Sequence, residues 1–263
     1  MIGDRLRIKL LGPLEINYQS ESGREASESP FQVTAIKLRQ VLAMLAVNAN
    51  AMVSTEQLID ELWPYGPPRT VKTIVQTYVY QLRKLFCGNF PAAQETSVLI
   101  TRPGGYLLAV PRENVDVFEF QGLVDSGRNA LDQGRAGCAA GLLREALTVW
   151  RGPLPADIVH GPSLSGLSAY LEEQRLEAVS LRIEADMANN RHREIVGELR
   201  SLVATHHLHE PFHVRLMQAL HRSGRRGEAL TVYHQLRRIL DDELGLEPSS
   251  EAQKLHHEII ASR

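Results

Sequence analysis

Hydrophobic and polar positions divide the chain into an alternating start, a mixed middle and a long helical remainder. Over residues 5–18, Leu6, Ile8 and Leu10 alternate with Arg5, Arg7 and Lys9. That is the period of a half-buried strand, broken at Gly12-Pro13 and resumed from Leu14 to Tyr18. Residues 19–30 are polar and read as a loop, and residues 31–33, Phe31 to Val33, add a candidate short strand. A small antiparallel sheet is therefore expected ahead of the helices. From Ala35 to Val47 the spacing turns helical, with Ile36, Val41, Leu42, Leu45 and Ala46 on the side expected to be buried and Asn48-Ala49-Asn50 as the stop. A second helix begins at Ser54, whose hydroxyl pairs with Gln57 three residues on as a capping box, and it ends at Trp63 before Pro64. A Gly/Pro turn at 65–68 leads to a third helix over residues 69–86. Two strand-like runs, 98–101 and 106–110, then flank Arg102-Pro103-Gly104-Gly105 and predict a hairpin.

Beyond Pro111 the pattern is wholly helical, over 115–133, 136–150, 164–189, 191–205, 211–222, 227–244 and 250–261, with Gly, Pro or Asn between. Glu145-Ala146-Leu147-Thr148-Val149-Trp150 is echoed by Glu228-Ala229-Leu230-Thr231-Val232-Tyr233, and Asn190-Arg191 stands 34 residues before Gly224-Arg225. That spacing is the period of tetratricopeptide helix pairs; a non-repeating helical bundle is the other arrangement the pattern allows. Either is a scaffold suited to binding protein.

The third helix has two unlike faces when turned at about 100° per residue. Val71, Ile74, Val75, Tyr78, Val79, Leu82, Leu85 and Phe86 fall on one arc. Arg69, Lys72, Thr73, Gln76, Tyr80, Arg83 and Lys84 fall on the other, with Thr77 at its edge. From Leu62 to Gln94 there is no Asp or Glu, in a chain where 31 of 263 residues are acidic. A solvated surface helix normally mixes both signs; a face that excludes carboxylates suits a polyanion. The net charge of −2 hides this, since residues 1–110 carry +2 and residues 111–263 carry −4. Strands, three helices and a hairpin in that order are the elements of a winged helix-turn-helix, whose third helix enters the major groove. The fold class expected is α+β, a winged helix-turn-helix over 1–110 followed by an all-α tetratricopeptide-like domain over 111–263. Thr73, Gln76 and Thr77 are assigned to base edges. Arg69, Lys72, Arg83, Lys84 and Arg102 are assigned to phosphates or groove insertion, with Tyr80 near the centre of the same face.

Other chemistry finds little support. No apolar run approaches the roughly 20 residues needed to span a bilayer, and the N-terminus has no signal-peptide core, so a cytoplasmic protein is expected. Cys87 and Cys138 are isolated, in no metal-ligand spacing. His209-Glu210-Pro211-Phe212-His213 matches the H-E-x-x-H zinc pattern, which needs both histidines in one helix. Pro211 prefers a first helical turn, which would leave His209 outside. Asp241-Asp242-Glu243 point around a helix rather than at one ion. No catalytic group, cofactor or metal is expected.

With these residues in view, the chain resembles the Streptomyces antibiotic regulatory protein (SARP) family over nearly its whole length. Leu11-Gly-Pro-Leu-Glu15, Val53-Ser54 with Gln57 to Trp63, Pro67-Pro68, Gln76-Thr77-Tyr78, Gln81-Leu82-Arg83 and Gly105-Tyr106 are similar to its OmpR-like winged helix. Ala146-Leu147, Trp150-Arg-Gly152, Leu171-Glu-Glu173 with Arg175, Gly224-Arg225, Ala229-Leu230, Tyr233 and Leu244-Gly-Leu246 with Pro248 are similar to its bacterial transcriptional activation domain. The insert at 19–30 is long for the family and Pro64-Tyr65 replaces the Gly usual after the Trp. No G-x-x-x-x-G-K-[ST] occurs, so the ATPase module of larger relatives is not expected.

The resemblance implies an activator of a secondary-metabolite gene cluster. Such proteins bind double-stranded promoter DNA at direct repeats, as side-by-side dimers, and contact RNA polymerase and its sigma factor. A tetratricopeptide-like adaptor with a vestigial winged helix is the alternative, and a zinc hydrolase a distant third. An adaptor gives no reason for an acid-free helix face.

Overall fold

Alternation in the first residues becomes a two-stranded antiparallel sheet. The computed structural model describes residues 6–18, 33–89, 98–155 and 157–262, and β1 (Leu6–Lys9) pairs there with β2 (Glu15–Tyr18) in the register Ile8↔Ile16. Leu6, Ile8 and Ile16 are buried, as their period requires. The polar loop at 19–30 and the expected strand residues Phe31 and Gln32 lie outside the described residues; Val33 is buried but belongs to no strand. Two compact units divide the chain, one of Met1–Asp125 with Glu145–Leu176 and one of Ser126–Arg144 with Glu177–Arg263.

In the first unit, α1 (Ile36–Val47) touches the two helices that follow and the last strand. It therefore buries Leu38, Gln40 and every residue from Val41 to Ala46, not the single stripe expected. Ile36, expected to be buried, is 54% exposed because it opens the helix, ahead of those contacts. A strand the sequence pattern does not predict, β3 (Met52–Ser54), precedes α2 (Thr55–Leu62). Ser54 caps α2 as expected: its hydroxyl accepts from the Gln57 amide at 3.0 Å, and the Gln57 side chain accepts from the Ser54 N–H at 2.8 Å. Next, α3 (Val71–Asn89) buries Val75, Val79, Leu82 and Phe86. The hairpin β4 (Leu99–Arg102) and β5 (Gly105–Leu108) closes a three-stranded sheet in the order β3-β5-β4. Its turn, Pro103-Gly104, needs the positive φ of 85° that glycine supplies. The expected winged helix is present.

Two buried carboxylates tie this module to the segments that complete the unit. A 3-10 turn at Arg112–Asn114 leads into α4 (Asp116–Asp132). The Asp116 carboxylate accepts from the Leu10 and Leu11 amides at 2.7 and 2.9 Å. Burial pushes its carboxyl above the usual carboxylate range, against the pull of those amides and of Arg151. Glu61, 1% exposed at the end of α2, caps α6 (Pro162–Ala188). It accepts from the amides of Gly161 at 2.7 Å, Ser163 at 2.8 Å and Leu164 at 3.3 Å. A carboxylate there satisfies orphan amides and meets the positive end of the helix dipole. A Cβ on Gly161 would lie 2.1 Å from the Glu61 carbonyl oxygen, so only glycine fits. Arg39 pairs with Asp157, and Gln40 donates to the Val159 carbonyl.

In the second unit, the expected helices appear with small shifts: the end of α4, the start of α5 (Ala136–Val149), the end of α6, then α7 (Val196–Thr205), α8 (Glu210–Arg222), α9 (Arg226–Leu244) and α10 (Ser250–Ala261). Residues 191–195, expected to be helical, form a turn, because Asn190 takes a left-handed φ of 58°. Gly134, Asn190 and Gly224 share one junction. Each is left-handed, and the next amide reaches back to a carbonyl five residues before it: Arg135 to Ala130, Arg191 to Asp186 and Arg225 to Leu220, at 2.8, 2.9 and 2.9 Å. These are Schellman ends; Asn190 and Gly224 stand 34 residues apart but Gly134 and Asn190 stand 56 apart, so the shared feature is the turn and not a fixed period. Gly127 lets the side chain of Leu143 close in, since a Cβ there would lie 2.6 Å from Leu143 Cγ.

Removing the Glu61 cap strands buried amides, so Glu61→Ala should cost about 1–3 kcal/mol in urea unfolding. Asp60→Ala, on the exposed side of the same helix, should stay within about 0.5 kcal/mol. Equal effects for the two would mean that the cap contributes nothing.

His213 is 1% exposed; its Nε2 meets the His207 carbonyl at 2.9 Å while Nδ1 has no partner. Burial lowers its pKa from the ordinary 6.5, so the folded chain holds it neutral. Stability from this group is complete above about pH 6.5 and is lost as pH falls from there through the lowered folded value. His213→Gln, which keeps a donor to His207, should flatten the loss of stability between pH 7.5 and 5.5, followed by urea melts. An unchanged slope would assign that loss to other histidines.

Candidate nucleic-acid interface

The polar face of α3 owes its exposure to the packing of the opposite face. With Val75, Val79, Leu82 and Phe86 fixed in the core, the residues between them must point outward. Lys72, Thr73, Gln76, Thr77, Tyr80 and Lys84 are all exposed, Tyr80 by 64%. Arg69 lies in the turn just before the helix and is also exposed. Trp63 and Tyr78 stack at 6.3 Å, which pins the turn between α2 and α3 from its inner side.

The predicted residues are not equivalent. Thr77 Oγ1 donates to the Thr73 carbonyl at 2.9 Å, so its hydroxyl presents only acceptor capacity outward. Arg83 is half-buried, and it differs from the other cations. Its Nε donates to the Leu99 carbonyl at 3.0 Å and its Nη2 to Thr101 Oγ1 at 2.7 Å. Arg102 is exposed at the end of β4, paired with Gly105 across the turn. The structure thus gathers Lys72, Thr73, Gln76, Thr77, Tyr80 and Lys84 on one helix face, sets Arg102 on the hairpin, and turns Arg83 from the face to the hairpin.

Two residues outside the sequence prediction belong to this surface. Gln81 is exposed beside Tyr80, and its place on the helical wheel, at the arc's margin, was the available signal. Thr55 holds the hairpin turn, its amide donating to the Gly104 carbonyl at 2.9 Å and its hydroxyl to the same oxygen at 3.3 Å. Nothing local in the sequence marks it, because its partner lies 49 residues away. Gly105 packs so tightly that a Cβ would lie 2.2 Å from the Val53 carbonyl oxygen.

The zinc pattern resolves into a helix start. Helix α8 begins at Glu210 with Pro211 in its first turn, and His209 stands at the N-cap, its ring 4.2 Å from that of Phe212. With Nε2 of His213 on the His207 carbonyl, the two histidines do not converge. Among the described residues no group of three or more His, Cys, Asp or Glu is placed to hold a metal, and no helix is long and apolar enough to cross a membrane.

Residues 33–108 match the family described as Transcriptional regulatory protein, C terminal, and residues 115–260 match the Bacterial transcriptional activator domain. Regulatory protein DnrI of Streptomyces peucetius is 37% identical over 258 residues, covering 97% of this chain and 92% of that protein. Transcriptional regulator RedD of Streptomyces coelicolor is 35% identical over 261 residues, covering 98% of this chain and 71% of that protein. Mycobacterium tuberculosis EmbR, solved in complex with a low-affinity phosphopeptide, superposes with a TM-score of 0.87 at 32% identity, over 97% of this chain and 65% of that one. Matched in both of its parts and along nearly all its length, the chain belongs to the Streptomyces antibiotic regulatory protein family of transcriptional regulators.

Proposed function

We propose that the chain is a sequence-specific transcription activator that binds direct repeats in promoter DNA and recruits RNA polymerase through its sigma factor, in the control of an antibiotic or other secondary-metabolite pathway. The observation that carries this reading is the outward face of α3, where Lys72, Thr73, Gln76, Thr77, Tyr80 and Lys84 stand exposed in a stretch without a carboxylate. Phosphate oxygens attract such a face, and bases are read by the amide and hydroxyls within it. Gln76 is the candidate for a bidentate contact with adenine. Lys72, Lys84, Arg69 and Arg102 are the candidates for phosphates. Residues 1–110 would bind DNA and residues 111–263 would supply activation, the latter with a net charge of −4 that disfavours phosphate. Direct repeats demand head-to-tail packing of two copies, whose contact raises effective concentration on the DNA. The work of such a protein is cytoplasmic.

Binding of the whole chain to a duplex that it selects from a random-sequence pool tests the DNA reading. Lys72→Ala and Lys84→Ala should each flatten the log–log salt dependence by about one unit. Gln76→Ala should keep that slope and lose roughly 1–3 kcal/mol of discrimination at one base pair. Salt slopes unchanged in both lysine variants would leave the adaptor reading in place.

Activation is tested by run-off transcription from a promoter that carries the selected site in tandem. The whole chain should raise transcript from RNA polymerase holoenzyme, and a Lys72→Ala/Lys84→Ala double variant should not. Binding without stimulation would reduce the chain to a DNA-binding protein. The halves are best separated by point changes, because ending the chain at residue 110 removes the partners of Glu61, Arg39 and Gln40.

A further inference from the structure

The hairpin at the edge of the proposed DNA face is held from two sides. From α2, Thr55 grips the Gly104 carbonyl through both its amide and its hydroxyl. From α3, the Arg83 guanidinium takes the Leu99 carbonyl at 3.0 Å and the Thr101 hydroxyl at 2.7 Å. Both Arg83 partners lie on β4, the strand that ends in Arg102. A planar fork that grips two points of one strand fixes its rotation as well as its distance, which a lysine ammonium cannot do. Arg102 directly follows Thr101 and is locked across the turn to Gly105.

We propose that Arg83 is a positioning residue for DNA recognition: through Thr101 it presets the hairpin so that Arg102 meets the duplex, and it is not itself a phosphate contact. The inference rests on the DNA-binding reading of the α3 face. An arm set before binding loses less freedom on the complex, so its contact is worth more. Two of the five guanidinium donors, on Nε and Nη2, are already spent on the hairpin, so the side-on fork through those two atoms is not free for a phosphate.

A double-variant cycle on the whole chain decides, using the duplex that the wild-type chain selects from a random pool. Arg102→Ala should weaken binding roughly tenfold, the scale of one good groove contact. Arg83→Ala should cost a similar factor alone and add almost nothing in the Arg102→Ala background, where the salt slope should also stay put. Thr101→Val removes one hydroxyl and no charge, and it should weaken binding in the same direction. Thermal melts monitor folding; if Arg83→Ala does not fold, Thr101→Val decides alone, and full affinity in that variant overturns the proposal. An undiminished loss from Arg83→Ala in the Arg102→Ala background, with a slope flatter by about one unit, makes Arg83 a phosphate contact and also overturns it. So does an Arg102→Ala variant that binds like wild type. A wild-type chain that selects no duplex fails earlier, at the DNA-binding reading, and takes the proposal with it.

Discussion

A carboxylate held at 1% exposure is tolerable only when its oxygens are met, and Glu61 meets three amides at the opening of α6. Much of the first unit follows from that requirement. Helix α2 must end where Glu61 can reach, which fixes the turn into α3. Residue 161 must be glycine, because its backbone passes against the Glu61 carbonyl. Asp116 does the same at the other side of the module, with the Leu10 and Leu11 amides. Glu61 sets its desolvation cost against charge-assisted hydrogen bonds at a helix N-terminus, while at Asp116 burial outweighs the amides and Arg151; losing either carboxylate would strand donors.

The consequence for the interface is rigidity. The exposed polar face of α3 is built on a helix, not a loop, and the hairpin beside it is held by Thr55, Arg83 and Gly105. Family membership accounts for the division into two matched segments, 33–108 and 115–260. The compact units fall elsewhere, with residues 145–176 grouped beside the N-terminal module. Sequence families follow descent and contacts follow packing, and here the buried carboxylates carry packing across the family boundary.

What the sequence reveals follows the range of the interactions. The capping box at Ser54 and Gln57, the α3 faces and the Pro103-Gly104 turn involve neighbours within a few residues, and all appear where periodicity and turn chemistry put them. Strand β3 spans three residues, too few for alternation to register, and exists because β5 pairs with it. Glu61 reads as one more polar position of an amphipathic helix, since its partners lie about a hundred residues on. Arg83 was legible as a cation on the right face, but not as a clamp: the Leu99 and Thr101 acceptors are brought to it only by the fold.

The three left-handed junctions at Gly134, Asn190 and Gly224 have a meaning for how such a domain can vary. A Schellman end halts a helix in a fixed turn; α5 and α9 begin directly beyond the Gly134 and Gly224 ends, whereas a turn over 191–195 separates Asn190 from α7. The 27-residue α6 and the 13-residue α8 both feed the same kind of turn. Each residue added to a helix turns its end by about 100°, so only changes close to whole turns keep the direction that such a joint sets, and surfaces can diversify in those steps while the joints stay put.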